Sequence, residues 1–206
     1  MKRRVEKSMK KIIFATSNEG KMKEIREILK NLDIELLSLK EAGLNPDIDE
    51  NGKTFEENAI IKAKTVMELT GEIVLADDSG LEVDYMDKAP GVYSSRFMGE
   101  DTSYNIKNQY IIDRLEKAVG EERSARFVCV IACAFPDGEI HTRRGTIEGC
   151  IARQICGTNG FGYDPIFYVP EFKCTTAEMS SELKNKISHR GQALRSIRDV
   201  LVQKLS

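Results

Sequence analysis

The chain is organised around residues 73–84, which read IVLADDSGLEVD. The apolar run Ile73 to Ala76 predicts a buried strand, and Ser79-Gly80 after the two carboxylates predicts a turn. Asp77 and Asp78 are then expected at the carboxyl end of a strand, where ligands collect in open α/β sheets. Because successive side chains of an extended segment face opposite sides, one carboxylate can hold a hard cation while the other supports it. The alternative for this segment alone is a solvated acidic turn.

The composition is that of an ordinary globular protein of 206 residues, a length that predicts one domain. Charged residues make up 31%, the formal net charge is -2 and the pI is 5.9, which argues against a nucleic-acid partner. The basic opening, residues 1–11, leads into an apolar run that is too short for a signal peptide or a membrane span. We therefore predict a solvated extension at 1–10, a folded domain at 11–206 and no membrane partner.

The cysteine pattern favours reduced thiols and a cytoplasmic location, since there are five cysteines and no Cys-x-x-Cys pair. Cys129 and Cys133 lie on one face of an apolar strand, where a thiol behaves as a small hydrophobic group. Only His141 and His189 could complete a zinc site, and neither has ligand spacing. No zinc site is predicted.

A polar turn at residues 16–21, TSNEGK, follows a first strand at Lys11 to Ala15 and opens an amphipathic helix. Ser17 or Asn18 can cap this helix. Backbone amides and the helix dipole favour an anion at such an N-terminus, and Lys21 adds a positive charge. The turn is not a Walker loop. A phosphate site and a plain capped turn with a solvated Lys21 both fit this segment.

A second helix is predicted from the capping box Thr54-x-x-Glu57 to about Leu69, with Gly71 as its end. Glu50 precedes this helix and Lys62 lies within it. The next element is the strand that carries the two adjacent aspartates. Three carboxylates and a lysine are therefore expected to converge.

The remaining pattern predicts a mixed α/β fold. A helix is expected at 102–119, and a hairpin joins Arg126–Phe135 to Glu139–Ile151 through the turn Pro136-Asp137-Gly138. Strands alternate with helices before the hairpin. We predict a mixed central sheet flanked by helices, in an elongated, two-lobed single domain with a cleft between the lobes.

Two late segments have the composition of ligand-binding loops. Residues 157–165, GTNGFGYDP, combine glycines that permit close backbone approach with aromatic rings that can stack on a base. Their alternative is an aromatic-capped loop under a sheet edge. Ser188 can cap a last helix whose first residues, His189 and Arg190, are cations opposing the helix dipole. That placement points to an anionic or carbonyl-bearing ligand, or else to a solvated helix terminus.

Five motifs in order closely resemble the inosine triphosphate pyrophosphatase family, and the similarity spans the chain from Lys11 to the last helix. They are Thr16-x-Asn18-x-x-Lys21, Thr54-Phe55-x-Glu57-Asn58-Ala59, Ala76-Asp77-Asp78-Ser79-Gly80-Leu81, Gly160-Phe161-Gly162-Tyr163-Asp164-Pro165 and Ser188-His189-Arg190-Gly191. The resemblance implies Mg²⁺-dependent hydrolysis of ITP, dITP and XTP to the monophosphate and pyrophosphate. It also implies a homodimer.

The resemblance assigns roles by position. Glu50 and Asp78 would bind the metal, Asp78 would accept the proton, and Ser79 would contact the substrate. The triphosphate would be bound by Thr16, Ser17, Asn18, Glu19, Gly20 and Lys21, and the nucleotide by Phe161, Gly162, Tyr163, Asp164, Lys184, His189 and Arg190. The chemistry of the residues leaves Asp77 as a second candidate proton acceptor, and Lys62 joins Lys21 in offsetting phosphate charge.

Two rival functions remain open at this point. One is a metal-dependent hydrolase for a pyrimidine or a common purine triphosphate, which predicts comparable turnover of dUTP or ATP. The other is a non-catalytic nucleotide sensor, which is expected to have lost a metal carboxylate. Glu50, Asp77 and Asp78 are all present.

Overall fold

A computed structural model describes residues 9–205 and contains one seven-stranded mixed sheet. The sheet order is β2-β1-β3-β4-β5-β6-β7, parallel among β2, β1 and β3 and antiparallel from β3 onward. Residues 1–8 of the predicted extension lie outside the described part, and Lys10 already belongs to β1. The strands are β1 Lys10–Phe14, β2 Ile34–Ser38, β3 Ile73–Val83, β4 Ser124–Ala134, β5 Ile140–Ile151, β6 Phe167–Val169 and β7 Cys174–Thr175.

Five α-helices accompany the sheet in the described part of the chain, and none of them is long and apolar enough to cross a membrane. The predicted capping box is present, because Thr54 Oγ1 accepts from Glu57 N while the Glu57 carboxylate accepts from Thr54 N. Gly71 ends that helix with a φ of 67°. The helices are α1 Glu19–Leu29, α2 Phe55–Thr70, α3 Tyr104–Arg114, α4 Ser181–Ile187 and α5 His189–Leu205.

The predicted turn at Ser79-Gly80 is wrong, because β3 continues through both residues to Val83. Unbroken antiparallel pairing with β4 explains the difference: Asp77 lies opposite Ile131, and the register holds to the end of the strand. Asp77 and Asp78 therefore lie in the middle of a long strand and not at its carboxyl end. Pairing and burial override the weak strand propensity of Asp, Ser and Gly.

The long strands β3, β4 and β5 run through two lobes. In the first lobe, α1 and α5 cover one face of the sheet, through residues such as Met22 and Leu194, while α2 covers the other through Ala59 and Ala63. In the second lobe, α3 packs through Ile111 on the far halves of the same strands. The predicted mixed sheet with flanking helices is confirmed.

Element boundaries differ from prediction in the second lobe. The helix predicted at 102–119 ends at Arg114, and Leu115 N bonds to the carbonyls of both Ile111 and Ile112, which tightens the last turn. The hairpin of β4 and β5 is confirmed. Helix α4 and the short strands β6 and β7 were not predicted from the sequence. Cys129 and Cys133 are buried in the core, as predicted, and all five cysteines are free.

Candidate active site

A cleft of about 490 Å³ opens between the lobes, and segments far apart in sequence line it. Of the predicted site residues, Glu19 and Gly20 do not line the cleft: Glu19 is exposed at the start of α1, and Gly20 packs beside Phe161. The others all line it. They are Thr16, Ser17, Asn18, Lys21, Glu50, Lys62, Asp77, Asp78, Ser79, Phe161, Gly162, Tyr163, Asp164, Lys184, His189 and Arg190.

The N-terminus of α1 forms one end of the cleft. Asn18 caps the helix by accepting a 3.0 Å hydrogen bond from Lys21 N, and Asn18 N donates to Thr16 Oγ1 at 3.2 Å. Lys21 Nζ reaches across to Asp77 Oδ1 at 2.9 Å. The helix start thus combines backbone amides with a lysine, which is the arrangement that binds anions.

Asp78 and Glu50 meet on the α2 side of β3. Lys62 Nζ donates to Asp78 Oδ1 at 2.8 Å and to Glu50 Oε2 at 2.9 Å, and Asn58 Nδ2 lies 3.5 Å from Asp78 Oδ2. Burial raises the pKa of Asp78 above its usual value, although Lys62 opposes this. Burial lowers the pKa of Lys62, but its three neighbouring carboxylates outweigh this and raise it overall. The predicted convergence of acids on one lysine is present.

Asp77 points to the opposite side of β3, toward α1 and α5. Its Oδ1 accepts from Lys21, and its Oδ2 accepts from Ser79 Oγ at 3.0 Å and faces Arg190 at 3.3 Å. Burial raises the pKa of Asp77, but Lys21 and Arg190 outweigh that effect and hold it well below the usual value. Both Asp77 oxygens are therefore occupied, whereas Asp78 keeps an oxygen with only one long contact.

Glu24 was not predicted from the sequence; it does not line the cleft but contacts two residues that do. Its carboxylate bridges two predicted ligand-binding cations, accepting from Lys184 Nζ at 2.8 Å and from Arg190 at 2.5 Å. Burial raises the pKa of Glu24, but the two cations lower it overall. The one available signal was its position three residues after Lys21, on the same face of α1.

The aromatic end of the cleft is built around Phe161, which packs beside Gly20 in the first turn of α1. The Phe161 ring lies 4.9 Å from Lys184 Nζ and 5.5 Å from the Arg190 guanidinium carbon. The Asp164 carboxylate accepts from Phe161 N and from Lys184 Nζ at 2.7 Å, and from Thr176 Oγ1 at 2.8 Å. Asp164 Oδ2 thus fixes both the loop and the lysine, and Oδ1 anchors the carboxylate to Thr176.

His189 is not the cation that the sequence predicted. Burial, together with the charge of Arg190, holds its pKa well below the usual value, so the ring is neutral. The ring stacks on Phe127, with centroids 4.8 Å apart and planes inclined at 19°, and its buried Nδ1 has no hydrogen-bond partner within the described chain. Ser188 caps α5 as predicted, accepting from Gly191 N at 3.1 Å.

A family model, that of the Ham1 family, matches residues 12–200. The chain belongs to the Ham1 family. This assignment agrees with the resemblance carried by the five motifs. The matched range includes all the residues that line the cleft.

Individual relatives and solved structures agree with the Ham1 assignment. The chain is 50% identical over 191 residues to a dITP/XTP pyrophosphatase of Desulforamulus reducens, covering 93% of this chain and 95% of the relative. It is 48% identical over 199 residues to a dITP/XTP pyrophosphatase of Clostridium perfringens, covering 94% and 98%. The structure of a HAM1 protein from Coxiella burnetii superposes with a TM-score of 0.86 at 45% identity, covering 95% of this chain and all of that one.

Proposed function

We propose that this Ham1 protein hydrolyses the nonstandard purine nucleoside triphosphates dITP, XTP and ITP to the monophosphate and pyrophosphate. The observation that carries the proposal is one cleft lined by two chemically different groups of side chains. A capped helix N-terminus with Lys21 suits a triphosphate, and the ring of Phe161 beside Lys184 and Arg190 suits a purine base. The names of its relatives support the same reaction.

The cleft residues fit a hard divalent cation, which we propose to be Mg²⁺. Glu50 and Asp78 direct carboxylate oxygens to the same point, where both contact Lys62 Nζ. Residues 9–205 contain no cluster of three or more His, Cys, Asp or Glu side chains around one point. That matches Mg²⁺, which takes one or two carboxylates and fills its octahedron with phosphate oxygens and waters. When bound, the ion would neutralise negative charge on the phosphates and lower the pKa of a water molecule.

Asp78 is the proposed proton acceptor in preference to Asp77. Both oxygens of Asp77 are engaged by Lys21, Ser79 and Arg190, so it has no free position for a water proton. Asp78 Oδ2 has only the 3.5 Å contact with Asn58. A general base needs an open lone pair within reach of the attacking water.

Charge on the departing pyrophosphate must be offset for the bond between the α and β phosphates to break. Lys21 is fixed beside the capped start of α1 before substrate arrives, because Asp77 holds its ammonium group. Preorganised donors of this kind stabilise developing charge without reorganisation. Lys62 provides a second cation beside Asp78.

Base selectivity is proposed to reside at the aromatic end. Inosine and xanthine carry an oxygen at position 6, where adenine carries an amino group. Donors from Lys184, Arg190 or a backbone amide would pair with that oxygen and remain unpaired against adenine. A site built around such a hydrogen bond can reject the wrong analogue by about 10⁴-fold.

We also propose that the chain forms a homodimer and that it is located in the cytoplasm. Exposed apolar side chains, among them Tyr93, Met98 and Ile106, are available for a subunit contact. Sedimentation equilibrium tests the dimer, and fractionation of cells that produce the chain tests its location. A monomer at micromolar concentration would contradict the first point.

The deciding experiment measures pyrophosphate release with Mg²⁺ from ITP, XTP, dUTP, GTP and ATP side by side, with EDTA controls. Fast, EDTA-sensitive release from ITP and XTP alone is the expected result. Fast release from dUTP or ATP would refute the substrate class. Nucleotide binding without release would favour a non-catalytic sensor.

A further inference from the structure

The first turns of α3 hold two walls of the cleft through buried polar side chains that the proposed chemistry does not use. Lys107 Nζ donates to the carbonyl oxygen of Ser95 at 2.7 Å. Asn108 Nδ2 donates to the carbonyl oxygen of Gly162 at 3.1 Å. Ser95 and Gly162 both line the cleft, and they belong to segments far apart in sequence. Two adjacent helical residues thus join two separate walls.

The same walls are also joined directly to each other. Tyr163 Oη donates to Ser94 O at 2.7 Å, and the Tyr104 ring packs edge-on against the Tyr163 ring with centroids 5.2 Å apart. Ser94 Oγ accepts from Leu81 N at 2.9 Å, which ties segment 94–95 to β3. Residues 157–165 form the glycine-rich loop. The distance between this loop and segment 94–95 is therefore set by α3 together with Tyr163.

Lys107 and Asn108 are buried, but neither has partners for all of its polar or charged atoms. Lys107 and Asn108 are each only 1% exposed. Lys107 has the Ser95 carbonyl, the Tyr104 ring 5.0 Å away and the charge of Glu100 as partners, but no carboxylate of residues 9–205 lies within ion-pair distance of it. Asn108 Oδ1 is buried without a hydrogen-bond partner in the same described part. Burying an unpaired cation and an orphaned acceptor is unfavourable, so stability alone would favour apolar side chains here.

We propose that Lys107 and Asn108 form a clamp, hereafter the α3 clamp, that fixes segment 94–95 against the glycine-rich loop and so sets the fit of the base. The inference rests on the proposed function, because it assumes that the aromatic end of the cleft holds the purine. Both residues touch the walls and not the ligand, which makes them positioning residues. Lys107 and Asn108 bond to Ser95 and Gly162, and neither bonds to Lys21 or to the start of α1, so their effect is expected on the nucleoside half of a ligand.

The test compares two ligands that each occupy one end of the cleft, inosine monophosphate and inorganic pyrophosphate, by calorimetry on the full chain. Lys107→Met keeps the aliphatic stem and removes the ammonium, and Asn108→Ala removes the amide. The matched controls are Lys117→Met and Asn105→Ala, which change exposed residues on or just beyond α3. Each clamp variant is expected to weaken inosine monophosphate binding by about three- to tenfold, the cost of one hydrogen bond. Pyrophosphate binding and both controls should stay within about twofold of the unsubstituted chain.

The decisive quantity is the ratio of the affinity for inosine monophosphate to the affinity for pyrophosphate. A merely structural role would lower both affinities together and leave this ratio unchanged. Unchanged inosine monophosphate binding in folded clamp variants would overturn the inference. An equal loss for both ligands would overturn it as well, because it would mark general loosening. If either variant fails to melt cooperatively, the milder changes Lys107→Gln and Asn108→Ser are measured by the same criterion. Because binding needs no turnover, absence of pyrophosphate release would refute the proposed function and leave the clamp to be judged separately.

Discussion

Strand β5 passes so close to the start of α5 that Gly145 has no space for a side chain. A Cβ at this position would lie 2.1 Å from the backbone oxygen of His189 and 2.8 Å from Ala193 N. Cβ contacts below 3.0 Å essentially do not occur, so Gly145→Ala must move α5 or the strand by about 1 Å. The displaced turn carries His189 and Arg190, two residues of the cleft.

The expected magnitude follows from this geometry. Overpacking a tight contact costs about 1 to 3 kcal/mol of unfolding free energy. Misplacing a positioning group by about 1 Å can cost about 100-fold in rate. We therefore expect Gly145→Ala to lower the unfolding free energy by about 1 to 3 kcal/mol and to lower kcat/KM for dITP by about 10- to 100-fold.

Urea denaturation and pyrophosphate release measure the two effects, and Gly149→Ala is the matched control on the same strand. A Cβ at Gly149 would lie 2.5 Å from the backbone oxygen of Tyr168 in β6, away from α5. The control should lose similar stability and much less activity. Wild-type behaviour of Gly145→Ala would refute the steric argument. Equal loss of activity in both variants would refute the link through α5.

Three further substitutions test the site and the fold. Asp78→Asn removes the proposed proton acceptor, so pyrophosphate release should fall by at least about 100-fold, while the thermal melt stays close to that of the unsubstituted chain. Glu24→Gln removes the charge that bridges Lys184 and Arg190; the freed cations should rearrange and raise KM for dITP by about tenfold, a loss of about one charged hydrogen bond. Thr54→Ala removes the capping hydrogen bond of α2 and should lower the unfolding free energy in urea by about 1 kcal/mol with little change in KM.

Each of these predictions has a contradicting outcome. Near-normal turnover by folded Asp78→Asn would remove that residue from the mechanism. For Glu24→Gln the control is Glu27→Gln, which changes an exposed carboxylate on the same helix, and equal KM values in the two variants would contradict the bridging role. An unchanged urea midpoint for Thr54→Ala would show that the cap contributes nothing measurable.

Regular periodicity made much of the fold predictable from the sequence. The long strand predicted at Arg126 to Phe135, followed by the Pro-Asp-Gly turn signal and a return strand to Ile151, corresponds to β4 and β5. The extent of β3 was not predictable in this way. Ser79-Gly80 has turn propensity, and only the pairing of its backbone with β4, a non-local interaction, makes it strand.

The site shows the same division between local and tertiary signals. Motif residues such as Asn18 and Lys62 could be selected because caps and acid clusters are visible in sequence. Glu24, Lys107 and Asn108 look like ordinary polar residues of amphipathic helices, which are mostly solvated. Their roles depend on Arg190, Ser95 and Gly162, partners that only the folded chain brings near. The neutral state of His189 likewise follows from burial, which no sequence motif encodes.

The charge balance of the cleft explains why a divalent cation belongs to the proposed reaction. Four cations in the cleft, Lys21, Lys62, Lys184 and Arg190, are all paired with acids of the same chain. The acids in these pairs are five, namely Glu24, Glu50, Asp77, Asp78 and Asp164. A triphosphate adds several negative charges to a site that already holds more acids than cations. If the cations left their acids to bind the phosphates, buried carboxylates would lose their partners, at a cost of several kcal/mol each. Binding a divalent cation with the substrate would lower that cost, because the ion neutralises phosphate and carboxylate charge together.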